Sequence, residues 1–223
     1  MRQPLGAINK TTQNYIYPKI ANKNDIYICP DCSQNLVFCN GKIKVPYFRH
    51  AVIEHNPCTY YDKPNESQIH KDAKLLLKKL LEDKCNISFT RKCESCDDTE
   101  TFDIKTINKH SEIKLEHTFE YNGKKIADIA YIHRKKLLYI FEICNTHKTN
   151  ENDRPNPWFE ICALDLINLV NSNDEDEIVI PCIRETKCGK CYFTNLKNDD
   201  LETYVRKILG QKHNAKFSMY LSL

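Results

Sequence analysis

In KPNESQIHKDAKLLLKKLLEDK, apolar residues fall at 69, 73, 76, 77, 80 and 81, the spacing of one face of an α-helix. Asn65 is the predicted N-cap, and Gln68 three residues later outlines a capping box. Further along, the pattern shifts to short β-branched and aromatic runs. HTFEYNGKKIADIAYIH and KKLLYIFEICN predict three strands, with turns at Asn122-Gly123 and at His133 to Lys136. NPWFEICALDLINLVNS predicts a second helix, and EIVIPCI a further strand. NDDLETYVRKILG, with an acidic start and a glycine stop, predicts a last helix. Nearer the N-terminus, YICPDCSQNLVFCNGKIKVPYFRHAVIEHNPC reads as strand, tight turn, strand, Asn40-Gly41 turn and strand. Residues 1–24 are polar and irregular, a tail or a first strand, and residues 85–117 read as an insertion with β character. No internal repeat or low-complexity tract stands out.

This order of elements predicts a mixed α/β (α+β) fold. A tail and hairpin module would occupy 1–62. A core would occupy 63–223, with a cysteine-containing insertion at 85–117 and a C-terminal cysteine knuckle and helix. The 223 residues suffice for one substantial domain and a small module. Apolar content of 41% and charged content of 28% are ordinary for a globular chain, and a net charge of +3 does not by itself announce a nucleic-acid binder. No run approaches the roughly 18 apolar residues of a membrane span, and MRQPLGAINKTTQNYIY lacks a continuous apolar stretch. The expectation is an intracellular, cytoplasmic protein with no membrane partner.

The 12 cysteines change the picture. Cys29/Cys32, Cys93/Cys96 and Cys188/Cys191 have C-x-x-C spacing, which lets two thiolates grip one zinc ion from a tight turn. In an intracellular chain such pairs bind metal more often than they form disulfides. Cys29, Cys32, His50 and Cys58 make one tetrahedral set, with His55 as the alternative to His50. A thioredoxin-like redox pair would open a helix, whereas here a hairpin follows. Cys93, Cys96, Cys188 and Cys191 make a second, shared set, with His110 and His117 as competing ligands. Cys39, Cys85, Cys144, Cys162 and Cys182 read as small buried apolar residues.

Two carboxylates sit on neighbouring predicted strands, Asp128 in IADIAYI and Glu142 in YIFEICNTHK. If the strands pair about His133 to Lys136, both acids stand at one height on one face. An acid among apolar residues is costly to bury alone, so it is paired or metal-bound. Two such acids suit magnesium, which takes oxygen ligands. Glu66, His70, Lys74 and Leu77 share one side of the long helix. Simpler readings stand beside these: Glu66 as a first-turn acid favouring the helix dipole, Asp128 as a turn or edge-strand acid, Glu142 as the ion-pair partner of a lysine or arginine such as Arg154, and Trp158 as a core anchor.

In their order, the pieces CPDC, VPYFRH, NESQIHKDAKLLL, IADIAYI and FEICNTH resemble the CoiA-like competence proteins, members of the restriction-endonuclease-like, or PD-(D/E)XK, nuclease superfamily. The resemblance covers about residues 27–165. It implies a restriction-endonuclease-like mixed sheet flanked by helices, preceded by a small zinc-binding β-hairpin module. It implies Asp128 and Glu142 as ligands of a catalytic magnesium or manganese ion, Glu66 as a helix-borne acid near the metal, and DNA as the partner, with a homodimer allowed. The departure is Cys144, where the superfamily has lysine and CoiA-like members often have glutamine; Lys74 or Lys148 would have to substitute, with His147 as a proton-transfer group. The expected activity is metal-dependent DNA hydrolysis with structural zinc. The alternative is a catalytically inactive nuclease-fold zinc protein that binds nucleic acid or a partner protein.

Overall fold

The computed structural model describes residues 3–41, 45–51, 58–83, 86–104, 109–172 and 177–194. The helix expected at 198–210, His55 and Cys85 lie outside these residues.

A first sheet is built from short strands: β1 (Ala7–Asn9), β2 (Tyr15–Ile16), β3 (Tyr27–Ile28), β4 (Asn35–Cys39) and β5 (Tyr47–His50), in the order β2-β1-β3-β4-β5. Of the two readings of this N-terminal segment, residues 3–24 follow the strand rather than the tail. Leu5 and Ala7 are fully buried, and Tyr15 and Tyr17 nearly so. The first strands are two or three residues long, too short for a visible period of two.

α1 (Glu66–Glu82) starts as its sequence dictates. The Asn65 side chain accepts the Gln68 N–H at 2.9 Å, and the Gln68 side chain accepts the Asn65 N–H at 3.0 Å. Its apolar face buries Ala73, Leu76, Leu77 and Leu80, each leucine contributing about 2 kcal/mol of transfer free energy. Asp72 lies in that same buried face. It accepts the Gly6 N–H at 3.0 Å, the Tyr15 hydroxyl at 2.9 Å and the Tyr60 hydroxyl at 2.8 Å. Burial raises its pKa to about 6, against these three donors.

β6 (Asn86–Lys92) and β7 (Thr99–Asp103) come next, then β8 (Ser111–Glu120), β9 (Lys124–His133), β10 (Lys136–Cys144), β11 (Trp158–Cys162), α2 (Ala163–Ser172), β12 (Glu177–Pro181) and α3 (Gly189–Thr194). Four strands form a mixed sheet, β11-β10-β9-β8, antiparallel from β8 to β10 and parallel between β10 and β11. A smaller sheet has the order β12-β6-β7, with β12 parallel to β6. Phe89 of β6 is fully buried against both Phe141 and Phe159, 5.1 Å from each ring centroid, so most of β6 is core rather than insertion.

The helix predicted over NPWFEICALDLINLVNS is half wrong. Trp158–Cys162 is a strand, and the helix starts only at Ala163. A short apolar run fits either element by period, and here a matching strand, β10, was available to pair with it.

The molecule is mixed α+β, with three sheets and few helices among the described residues. It divides into two compact units: residues 1–91 with 101–184, and residues 92–100 with 185–223. The Asp72 hydrogen bonds fasten the first sheet to α1 within the first of these units. No helix among the described residues is long and apolar enough to cross a membrane.

Candidate metal centres and a row of carboxylates

Cys29, Cys32, His50 and Cys58 bring their ligand atoms within 4.8 Å of one another. Cys32 Sγ is 3.3 Å from His50 Nε2, and Cys29 Sγ is 4.0 Å from Cys58 Sγ. A zinc–sulfur bond of about 2.3 Å places tetrahedral sulfurs roughly 3.8 Å apart, so the set suits zinc. The turn is a cysteine knuckle: the Asp31 N–H points to Cys29 Sγ at 3.4 Å, and Ser33, at φ 60°, donates its N–H to the Cys29 carbonyl at 3.0 Å. α1 steadies it through Gln68 Nε2 to Asp31 at 2.8 Å and Lys71 Nζ to the Pro30 carbonyl at 2.8 Å. Burial lowers the pKa of His50, keeping it in the neutral form a metal takes, and pushes the Cys29 thiol up to about 12. Zinc would have to displace that proton.

The second set, Cys93, Cys96, Cys188 and Cys191, lies within the second compact unit and meets the same 4.8 Å condition. Cys96 Sγ is 3.7 Å from Cys188 Sγ. Cys93 Sγ accepts the Cys188 N–H at 3.3 Å and the Ser95 N–H at 3.4 Å. The Cys188 amide is the largest cause of a lowered Cys93 pKa and favours its thiolate form. Four protein ligands would leave no open position on an ion bound at either set, the arrangement of a structural rather than a catalytic centre. His110 and His117 belong to neither set.

The acids are placed by strand register. Phe141 faces Ile129 across β10 and β9, so the next step sets Glu142 opposite Asp128. On the other side, β10 and β11 pair Glu142 directly with Glu160. Leu115 and His117 face Ile129 and Ala127, which brings Glu116, at φ 49°, level with Asp128 on β8. Glu160, Glu142, Asp128 and Glu116 thus form one row across the four-stranded sheet.

Each acid has cationic or amide partners. Asp128 accepts His70 Nε2 at 3.0 Å and the Ile143 N–H at 2.9 Å, and Lys74 Nζ stands 3.6 Å away. Burial pushes its pKa up, but His70, the Ile143 amide and Lys74 outweigh that and leave it lowered. Glu142 is 4% exposed and receives Arg154 Nε at 2.5 Å. Burial raises it to about 7, with Arg154 opposing and the charge of Asp128 adding to the rise. Lys74 also bonds Glu116. Glu66 is exposed at the start of α1, where its carboxylate accepts the Thr146 hydroxyl and its carbonyl accepts Asn145 Nδ2 at 3.2 Å. The loop after β10 is thus held against the helix start.

Of the two lysines named from sequence, Lys74 reaches Asp128. Lys148 is exposed, and no contact of it with Asp128 or Glu142 is found among the described residues; burial raises the pKa of the Cys144 thiol, and the Lys148 charge opposes that only in part. The Cys144 thiol donates to the His147 carbonyl at 3.4 Å. Trp158 is fully buried, with the Arg184 guanidinium 4.3 Å from its ring centroid. Among the described residues, the two cysteine sets are the groups in which three or more ligand atoms converge within 4.8 Å; Asp128 and Glu142 form no third.

Sequence reasoning missed Glu160, which is 2% exposed and accepts the Thr149 N–H, and it missed Asp72. Signals for both were present. FEIC occurs at 141–144 and again at 159–162, a repeat that marks Glu160 as the counterpart of Glu142. Asp72 sits three residues after Ile69 and four before Leu76, inside the apolar stripe. The chain matches no protein-family model, no curated protein and no solved structure.

Proposed function

We propose that the chain is a metal-dependent DNA nuclease of the CoiA-like type, on a restriction-endonuclease-like core, with two structural zinc centres. The observation that carries this reading is Glu142 opposite Asp128 on adjoining strands, with His70 and Lys74 of α1 at Asp128. Hard carboxylate oxygens are the donors magnesium and manganese take. Such an ion, when bound, would polarise a phosphodiester and offset charge on the leaving oxygen. Lys74 supplies a cation beside Asp128 in a site that has cysteine at position 144. His70, hydrogen-bonded to Asp128, is placed to hold or move a proton.

A second reading is favoured by Arg154. Its guanidinium already neutralises Glu142 and is anchored by Nη2 on the Ile126 carbonyl at 2.8 Å. An acid so occupied suits a nuclease fold that binds nucleic acid or a partner without cleaving it. The two readings separate on magnesium- or manganese-dependent cleavage of plasmid and single-stranded DNA, with Glu142→Ala alongside. Cleavage by the parent protein and its loss in the variant support the nuclease. No cleavage by a folded, zinc-loaded protein supports the binding module.

A further inference from the structure

The two FEIC copies do more than mark Glu160. β10 and β11 run parallel and align them residue on residue: Phe141 on Phe159, Glu142 on Glu160, Ile143 on Ile161 and Cys144 on Cys162. Phe141 and Phe159 stack at 5.5 Å with an 18° interplanar angle, so the register is fixed by core packing on one face. Side chains alternate along a strand, which puts the cysteines with the glutamates on the other face. Neighbouring strands lie about 4.8 Å apart, and bridged cysteines have Cα atoms about 4.4–6.8 Å apart. The backbone therefore meets the condition for a bridge without any slip in register. Both thiols are free and neither belongs to a zinc set. Cys162 is half-buried, so a small reagent can reach it, while Cys144 is almost buried beside it.

We propose that Cys144 and Cys162 are a cross-strand dithiol that exchanges reversibly with small-molecule disulfides. The Cys162 thiolate attacks one sulfur of the reagent RSSR, forming a mixed disulfide and releasing RS⁻. The Cys144 thiolate then attacks the Cys162 sulfur and releases the second RS⁻. Two thiol protons are lost and two electrons pass to the reagent, giving two RSH and one Cys144–Cys162 disulfide. A bridge across in-register parallel strands is constrained by the sheet, so it is of the readily reduced kind.

The exchange reaches the carboxylate row. A bridged Cys144 no longer donates to the His147 carbonyl. That hydrogen bond ties down the start of the loop that brings Thr149 to Glu160 and Arg154 to Glu142. The cysteine found where the nuclease resemblance has lysine thereby acquires a role of its own. The dithiol itself stands whether or not the nuclease reading holds.

The test is oxidation of the full-length, zinc-loaded protein with oxidised glutathione, followed by alkylation, digestion and mass spectrometry. The expected result is a Cys144–Cys162 linked peptide as the main new species, removed by dithiothreitol and absent from Cys162→Ser, with two zinc ions retained in the parent protein. Cys182, just past β12, pairs its backbone with Ile161 next to Cys162 and is the nearest competitor by topology. Linkage to Cys182 or to a zinc cysteine overturns the proposal. So do two unlinked mixed disulfides, persistent free thiols at 144 and 162, or a link that forms only as zinc is lost. None of these readouts uses cleavage activity.

Discussion

Arg154 Nε lies 2.5 Å from Glu142 Oε1, and the two side chains are 11% and 6% exposed. The pair is set by chain geometry: Glu142 is fixed in mid-strand, and Arg154 comes from the loop that returns the chain to β11. Loss of one buried partner strands the other charge, at a cost of about 3–5 kcal/mol. Arg154→Ala should therefore destabilise the protein strongly, and Arg154→Ala with Glu142→Gln much less than the two effects summed. A double-mutant cycle by urea unfolding checks this, and additivity of the two losses would count against the pair.

Glu142 also makes stability depend on pH. Its folded pKa of about 7 lies above the ordinary 4.5, so the folded protein holds this proton more tightly than the unfolded chain does. Its contribution is full below pH 4.5 and is lost as pH rises through about 7. The fall amounts to up to about 3 kcal/mol. Asp72, raised to about 6, adds a fall of the same sign from its ordinary 3.8 upward. In metal-free buffer, Glu142→Gln should flatten the slope of Tm against pH between about 6.5 and 7.5, around the Glu142 midpoint of about 7 and above the Asp72 midpoint of about 6. An unchanged slope there would mean Glu142 does not titrate in that range.

Much of the fold was legible in the sequence, and the failures have physical causes. α1 announced itself through Asn65, Gln68 and a long apolar stripe, and the β8–β10 meander through its turns and its β-branched and aromatic runs. The cysteine sets could be grouped because C-x-x-C spacing restricts what two thiols can do. Trp158 to Cys162 misled because five apolar-rich residues before a true helix carry no period of their own; only the pairing with β10, a tertiary fact, makes them a strand. Leu5 to Tyr17 looked like a tail because their order depends on Asp72, a residue 55 or more positions away. Asp128 and Glu142 were found, and Arg154 was among the cations expected to pair with Glu142, as it does; that His70 reaches Asp128 is set by packing.

Asp72 should be among the most sensitive positions outside the metal centres. Asp72→Ala leaves the Gly6 amide and the Tyr15 and Tyr60 hydroxyls without their buried acceptor. A loss of about 3–5 kcal/mol is expected from three orphaned donors, and Asp72→Asn should cost less because its amide oxygen still accepts. Chemical denaturation measures both, and hydrogen exchange should show early opening of residues 5–17 in the alanine variant.

The zinc centres should be separable. The purified protein should carry two zinc ions per chain, and Cys188→Ser should lose one and keep the other, since the two sets share no ligand. Cys32→Ser should lose the first ion and loosen the knuckle that Gln68 and Lys71 hold. Metal analysis of the two variants gives the answer directly. Full zinc content in either would remove that cysteine from its set.

Whether Asp128 and Glu142 hold a divalent cation decides the central claim. The most direct measurement is a manganese soak of crystals of the full chain, read by anomalous scattering at the manganese edge. The nuclease account predicts a peak at the Asp128 and Glu142 carboxylates, with the Arg154 guanidinium moved off Glu142, and no peak in Asp128→Asn crystals. Arg154 still seated on Glu142, with no manganese between the two strands at saturating metal, would contradict it.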